Sequence, residues 1–428
     1  MSEWVQDTSD GQVLSKQKLL IIGGGMAGAK LAAEVMLTLA DSYHVTLIGE
    51  ERQVGYNRIL LSSLLAQEVA ESELALVDVP NMIENGAKVL ANDPVVHVCS
   101  DTKTVVLKSG VRLAYDKLVF ATGSRSHRLP IDGVDLSNVI GFRDFNDVAS
   151  MAELPKASRV VVVGGGLLGL EAAVGLIKRG HHVTLVHRAD YLLNRQLDKT
   201  AAQLLLDRMQ GMGIEFTLGH GPAAFLKAEE IHTEAPVASL KARAIELTSG
   251  DIVEADLFVM ATGIVPEISL AQAAGVQVNR AIVVNEYMET SVKDVFAIGE
   301  CTEFQSNTFG LVAPIWDQLH SLMARLADKK TAFAIEPVPT KLKVSGVNVF
   351  SVGEINPADE QQSIRYLDRS LNHYRKLVVK DGKLVGAILY GNVADGSWYF
   401  QLIQNQTKIT DILDQLIFGE AYCGAKVA

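Results

Sequence analysis

Three kinds of residue in this sequence have the type and spacing to do chemistry: glycines in turns, acids after short apolar runs, and a histidine–arginine pair. Gly23, Gly25 and Gly28 follow Leu19-Leu20-Ile21-Ile22 and precede an Ala-rich stretch to Leu39. In a strand–turn–helix of this kind Gly23 permits the tight turn and Gly25 lets the backbone approach a pyrophosphate. Gly28 lets helix and strand pack closely. Amides at the helix N-terminus then face the phosphates, where the helix dipole favours negative charge. Glu50 comes 22 residues after Gly28, behind Val45-Thr46-Leu47-Ile48, where a ribose-binding acid is expected.

The pattern occurs twice. Val160-Val161-Val162-Val163 leads into Gly164, Gly166 and Gly169, and Val183-Thr184-Leu185-Val186 follows. Gly23 and Gly164 are 141 positions apart, and Thr122-Gly123 and Thr262-Gly263, each behind an alanine, are 140 apart. Two unrelated motifs at nearly one offset predict two copies of one dinucleotide-binding unit. In the second copy the ribose position holds His187-Arg188 instead of an acid, which favours Arg188 as a 2′-phosphate ligand and NADPH as the nucleotide. The alternative is that both side chains are solvated beyond the strand. Arg58 likewise reads either as a partner for the dinucleotide's phosphates or as a solvated cation at a helix start. Glu171, read alone, is a first-turn acid favoured by the helix dipole.

The elements that must position these residues suit an α/β chain. Of 428 residues 48% are apolar, with 35 Gly and 11 Pro. The formal net charge of −11 argues against nucleic acid or an anionic membrane as partners. No signal sequence opens the chain and no apolar run approaches the ~20 residues that span a bilayer. Residues 1 to 17 are polar and read as disordered. Cys99, Cys301 and Cys423 are far apart, with no C-x-x-C, so the reading is a reducing cytoplasm and no metal, iron–sulfur or dithiol site.

Further along, residues 87 to 120 and 212 to 260 read as β-rich, Asp147 to Leu154 as a short helix, and Gly180 as the cap ending the helix from Leu167 to Arg179. Val295 to Gly299 is a buried strand ending on Glu300, and Gly310 to Leu326 a glycine-led helix. Glu336-Pro337-Val338-Pro339 is the clearest linker. Beyond it Leu342 to Val352 is strand-like, Asp381-Gly382 marks a hairpin, and a helix runs through Trp398. The expected domains are 18–124 with 256–333 for FAD, 125–255 for NAD(P)H, and 334–428 as a small α+β interface domain. FAD and a nicotinamide dinucleotide are the natural occupants, since hydride passes between them once their rings stack. The intact acid Glu50 assigns FAD to the first unit.

The duplicated glycine and Ala-Thr-Gly motifs, with Val295-Phe296-Ala297-Ile298-Gly299-Glu300, resemble the FAD-dependent pyridine nucleotide–disulfide oxidoreductase superfamily. That resemblance implies two Rossmann-like dinucleotide-binding domains of glutathione-reductase type plus the C-terminal domain. It places Gly299 and Glu300 at the FAD ribityl chain, where the superfamily normally has Asp, and Val312 in the helix start beneath the isoalloxazine. It places Glu171 near the nicotinamide and flavin rings. Tyr56 to Ser63, His187 with Asn194 to Asp198, Lys341 to Gly346, and Gly391 to Tyr399 narrow the match. They look like the flavin module of assimilatory NAD(P)H nitrite reductase large subunits and the electron-transfer subunit of assimilatory nitrate reductase. There a histidine at the place of His187 goes with NADH, which overrides the NADPH inference and leaves NADPH as a second substrate.

The implied activity is an NADH reductase passing electrons to a separate redox protein, foremost a nitrate or nitrite reductase subunit. The chain stops at Ala428 without clustered cysteines, so no siroheme reduction of its own is expected. Ser63 aligns where ferredoxin and rubredoxin reductases often carry lysine, yet a rubredoxin or ferredoxin reductase is the nearest rival. A non-catalytic nucleotide-binding redox sensor is a rival of another class. A single chain and a homodimer are both compatible with the sequence.

Overall fold

The computed structural model describes residues 16–227, 241–344, 346–357 and 361–424. Most of the polar N-terminal stretch, part of 212–260, and Ser345 in the Lys341–Gly346 stretch lie outside them. The chain divides into two compact units, the first comprising residues up to Tyr56, Ala75–Ser124 and Pro266–Ala334. The second comprises Asn57–Leu74, Arg125–Val265 and the residues from Ile335 on.

In the first unit five parallel strands lie in the order Val295–Ala297, Lys117–Phe120, Gln17–Ile22, Tyr43–Ile48, Lys88–Leu90. Leu19 to Ile22 are all buried, as a strand covered on both faces requires. Helix Met26–Thr38 buries Gly28, Ala29, Leu31, Ala32 and Val35 in this unit's core, and helix Val312–Leu326 packs against that helix. A three-stranded antiparallel meander, Val95–Cys99, Thr104–Leu107 and Arg112–Ala114, joins the same core.

The second unit repeats the plan: Glu215–Leu218, His182–His187, Arg159–Val163, Leu257–Met260 and Val139–Ile140 form a parallel sheet. Leu257–Met260 pairs with Val160–Val163, so the first unit resumes at Pro266 and not at the expected 256. Residues 57–74, expected with the first unit, group with the second because helix Leu61–Leu65 packs on helix Leu167–Lys178. The short helix expected from Asp147 runs over Phe145–Ala152, capped by Asp144.

The C-terminal part of this unit has its own antiparallel sheet, ordered Thr340–Val344, Val347–Gly353, Lys383–Tyr390, His373–Lys380, Gln362–Asp368. What reads as one strand over 342–352 is therefore a hairpin turning at Gly346, whose φ is +80°. Asp381 and Gly382 both have positive φ, as a tight two-residue hairpin turn demands. Helix Gly396–Gln404 covers the sheet through Trp398, Tyr399 and Leu402.

Candidate functional site

Each unit carries one glycine turn built by the same steric device. Gly23 has φ +121°, and a Cβ there would fall on the Ala121 carbonyl; Gly164, at φ +126°, stands in the same relation to Ala261. A Cβ on Gly28 would strike the Gly23 carbonyl, and one on Gly169 the Gly164 carbonyl. These four glycines are required by close backbone approach. Gly25 and Gly166 differ: each is an extended N-cap that offers no side-chain cap, and neither helix has an acid in its first turn. A Cβ on Gly166 would meet nothing. Both helices thus present uncapped amides over a glycine cradle, which fits a pyrophosphate.

Around the first turn, Glu50 is exposed at the end of its strand. Thr122 spends its hydroxyl proton on the Glu267 carbonyl at 2.7 Å, and Gly123 O accepts from Glu267 N at 2.9 Å. The second unit copies this clamp: Thr262 donates to His127 O at 2.9 Å, and Gly263 O accepts from His127 N at 2.9 Å. The Ala-Thr-Gly threonines hold crossover backbone in place.

Glu300 is half-buried and accepts from the Ser124 hydroxyl at 2.8 Å. Its neighbour Gly299, at φ +93°, donates its amide to Gln318 Oε1 at 2.8 Å. Gln318 Nε2 donates to Thr302 Oγ1 at 3.1 Å, and Thr302 donates back to Gly299 O at 2.7 Å. Val312 opens helix Val312–Leu326 behind Leu311, again without a side-chain cap or a first-turn acid. Gln318, Thr302 and Ser124 escape sequence reasoning. The available signal was a glutamine at a position whose helical neighbours, Ile315, Leu319 and Leu322, are all buried.

In the second unit the imidazole of His187 lies against Gly165, where a Cβ would come within 2.7 Å of the ring. Gly165 N donates to His187 Nδ1 at 3.1 Å. Burial, then the Arg188 charge, pulls the His187 pKa below its ordinary value, against a smaller upward pull from Asn194. The ring is therefore neutral with its proton on Nε2, and that buried Nε2 has no partner among the described residues. Arg188 is exposed beside it.

Glu171 is not a first-turn acid: it lies one turn further into helix Leu167–Lys178. Burial raises its pKa, and the Ser62 hydroxyl lowers it in part. Arg58 is placed in the second unit, with Nη1 on the Arg143 carbonyl at 3.3 Å. Ser63, aligned with a lysine of related reductases, donates to Glu68 at 3.3 Å, and it is Ser62 that meets Glu171.

The three cysteines are free. Cys301 is wholly buried with its thiol on Ile298 O at 3.2 Å, and burial raises its pKa. Among the described residues no group of three or more His, Cys, Asp or Glu could hold a metal ion, and no helix is long and apolar enough to cross a membrane.

Comparison with known proteins agrees with this geometry. Residues 17–321 match the model of the pyridine nucleotide-disulphide oxidoreductases, and 337–407 that of the rubredoxin NAD+ reductase C-terminal domain. The chain is 36% identical over 93% of its length to nitrite reductase [NAD(P)H] of Bacillus subtilis, covering 48% of that protein. It is 34% identical over 95% of its length to the assimilatory nitrate reductase electron transfer subunit of the same organism, covering 52% of it. It thus spans about half the length of these relatives. The solved NADH:rubredoxin oxidoreductase of Clostridium acetobutylicum superposes with a TM-score of 0.76 at 25% identity, over 94% of this chain and 99% of that one.

Proposed function

The chain belongs to the pyridine nucleotide-disulphide oxidoreductase family, and from that premise we propose that it is an FAD-dependent NADH reductase serving a separate redox protein. It is an oxidoreductase whose cofactors are FAD and NAD(P)H. In overall balance NADH becomes NAD+ and a proton, and two electrons pass to the partner. FAD, when bound, supplies a hydride acceptor that can release electrons singly.

The chain's own part is binding and orientation. Gly23, Gly25 and Gly28 with the uncapped amides behind them would take the FAD pyrophosphate, and Glu50 a ribose. The Gln318–Thr302 clamp fixes Gly299, and so holds Glu300 where it would meet the ribityl chain. The amides at Gly123 and Val312 would complete the first pocket. Gly164, Gly166, Gly169 and Gly263 would take the nicotinamide dinucleotide. His187 Nε2–H would donate to the ribose, and Arg188 would admit a 2′-phosphate, so NADPH is a second substrate. Glu171 is the carboxylate at the nicotinamide end, and Arg58 a cation for phosphate. The first unit would hold FAD and the second the nicotinamide dinucleotide, the chain returning to the first at Pro266 and leaving it after Ala334 for the C-terminal sheet.

For the partner, similarity to a nitrate reductase electron transfer subunit supports a nitrate or nitrite reductase component, and the cytoplasm is the location we propose for the pair. A second reading, a small rubredoxin-type iron protein, is favoured by the match of residues 337–407. The observation that carries the function is the paired, uncapped glycine turns. Anaerobic mixing of the flavin-loaded protein with NADH tests it: rapid bleaching of the yellow colour is expected, and an unchanged spectrum would leave a sensor. Supplying each candidate partner then separates the two acceptors by which one is reduced.

A further inference from the structure

Helix Leu61–Leu65 and the residues after it run along helix Leu167–Lys178 in a single register. Leu65 sits on Gly175, where an added Cβ would lie 2.8 Å from Leu65 Cγ. One turn further, Glu68 Oε1 meets Lys178 Nζ at 2.5 Å, and Arg179 Nε donates to Leu65 O at 2.6 Å. One turn in the other direction, three residues before Leu65 and four before Gly175, the same register sets Ser62 against Glu171. The backbone contact of the Ser62 hydroxyl, to Ile59 O, is a weak 3.4 Å, so the rotor is available to the carboxylate.

We propose that Ser62 is a positioning residue: it donates its hydroxyl proton to Glu171 and holds that carboxylate ionised and oriented beside the second glycine turn. This rests on the reading of Glu171 as the group at the nicotinamide end. Hydride loss leaves the nicotinamide ring positive, which an ionised carboxylate favours and a protonated one does not. Burial works against the ionised form, and among the described residues the hydroxyl is the one group opposing it. The charged and titratable neighbours are Glu68 and Arg58 on the packed segment, Lys178 and Arg179 on the same helix, and Arg159, His182, His187 and Lys341 on adjoining strands. None of them enters the Glu171 balance.

The test is the rate of anaerobic flavin reduction by NADH, followed from about pH 5.5 to about pH 9, in the flavin-loaded protein and three variants. Ser62→Ala is expected to move the acid limb to higher pH, costing about threefold or more at the acid end while the alkaline plateau holds. Ser62→Thr keeps the hydroxyl and restores the wild-type limb, and Glu171→Gln abolishes it. A Ser62→Ala profile that superimposes on wild type, or falls equally at every pH, overturns the proposal when Glu171→Gln has removed the limb. A limb that survives Glu171→Gln instead overturns the reading of Glu171 itself. Flavin content and urea midpoint, measured on each variant, show that all are folded and loaded.

Discussion

Gln318 accepts the Gly299 amide at 2.8 Å from a wholly buried position on a neighbouring helix. Through Thr302 it closes a ring back to the Gly299 carbonyl. The left-handed backbone that aims Glu300 is thereby fixed by a side chain 19 residues away.

Gln318→Leu keeps the apolar face of that helix but leaves a buried amide without an acceptor, a loss of about 1–3 kcal/mol. The denaturant midpoint should fall accordingly. The flavin-to-protein ratio on purification should fall further than stability alone explains, because Glu300 loses its anchor. A variant with wild-type flavin content would refute that link.

Gly166 and Gly169 separate binding from folding. Alanine at Gly166, where φ is −81° and a Cβ meets nothing, should leave the melting temperature within about a degree. It should raise the KM for NADH by about tenfold or more, because the methyl group occupies the phosphate cradle. Alanine at Gly169 would drive into the Gly164 carbonyl, and should lose at least about 2 kcal/mol of stability. Steady-state kinetics beside thermal unfolding distinguish them.

His187 should show its proton on Nε2 at neutral pH by nitrogen-15 chemical shift, since Gly165 N occupies Nδ1. Its depressed pKa means that the folded protein resists protonating it. The stability it contributes is present above the ordinary histidine pKa and lost as pH falls through and below it. Arg188→Ala should lower kcat/KM for NADPH by about tenfold and barely change that for NADH. Equal losses would remove Arg188 from nucleotide choice.

Both glycine turns and both Ala-Thr-Gly crossovers were legible because their spacing repeats and glycine has few alternatives at φ near +120°. The residues that complete them were not. Gln318 and Thr302 act through tertiary contacts whose partners lie up to 19 residues away, and the one local mark, a glutamine on an apolar helix face, does not name its partner. The place of residues 57–74 turned on Leu65 finding Gly175, 110 positions along the chain, which a periodicity reading cannot see. The strand at Leu257–Met260 was legible as a strand, but its sheet depended on pairing with Val160–Val163.

Asp147 predicts a pH effect of the opposite kind to His187. Burial and the neighbouring Asp144 push its carboxyl up to about 6, against the amides of Arg143 and Asp144. The folded state therefore binds more protons than the unfolded chain between about pH 4 and pH 6, and stability falls as pH rises through that window. Asp147→Asn should remove the penalty, gaining about 1–2 kcal/mol at pH 7 and nothing near pH 3.5. Urea midpoints at the two pH values measure it, and a gain equal at both would contradict it.

Asp198 caps helix Lys199–Gln210 through the Ala201 amide at 3.0 Å and reaches into the C-terminal sheet with its other oxygen. There it accepts from Tyr374 at 2.6 Å and pairs with Lys376 at 3.2 Å, both of them buried. Lys376 also donates to Ile355 O at 2.7 Å, and among the described residues Asp198 is the carboxylate paired with its ammonium group. Removing one partner strands the other charge in an apolar setting, so Asp198→Asn and Lys376→Met should each lose about 3 kcal/mol. The double variant leaves no isolated charge and should recover about half of the combined loss. Single variants that sum without recovery would mean the two side chains do not act as a pair. The loop 188–198 also touches the second glycine turn, since Leu193 N donates to Gly165 O at 3.0 Å. Asp198→Asn should therefore raise the KM for NADH as well, and an unchanged KM would confine the pair to holding the C-terminal sheet.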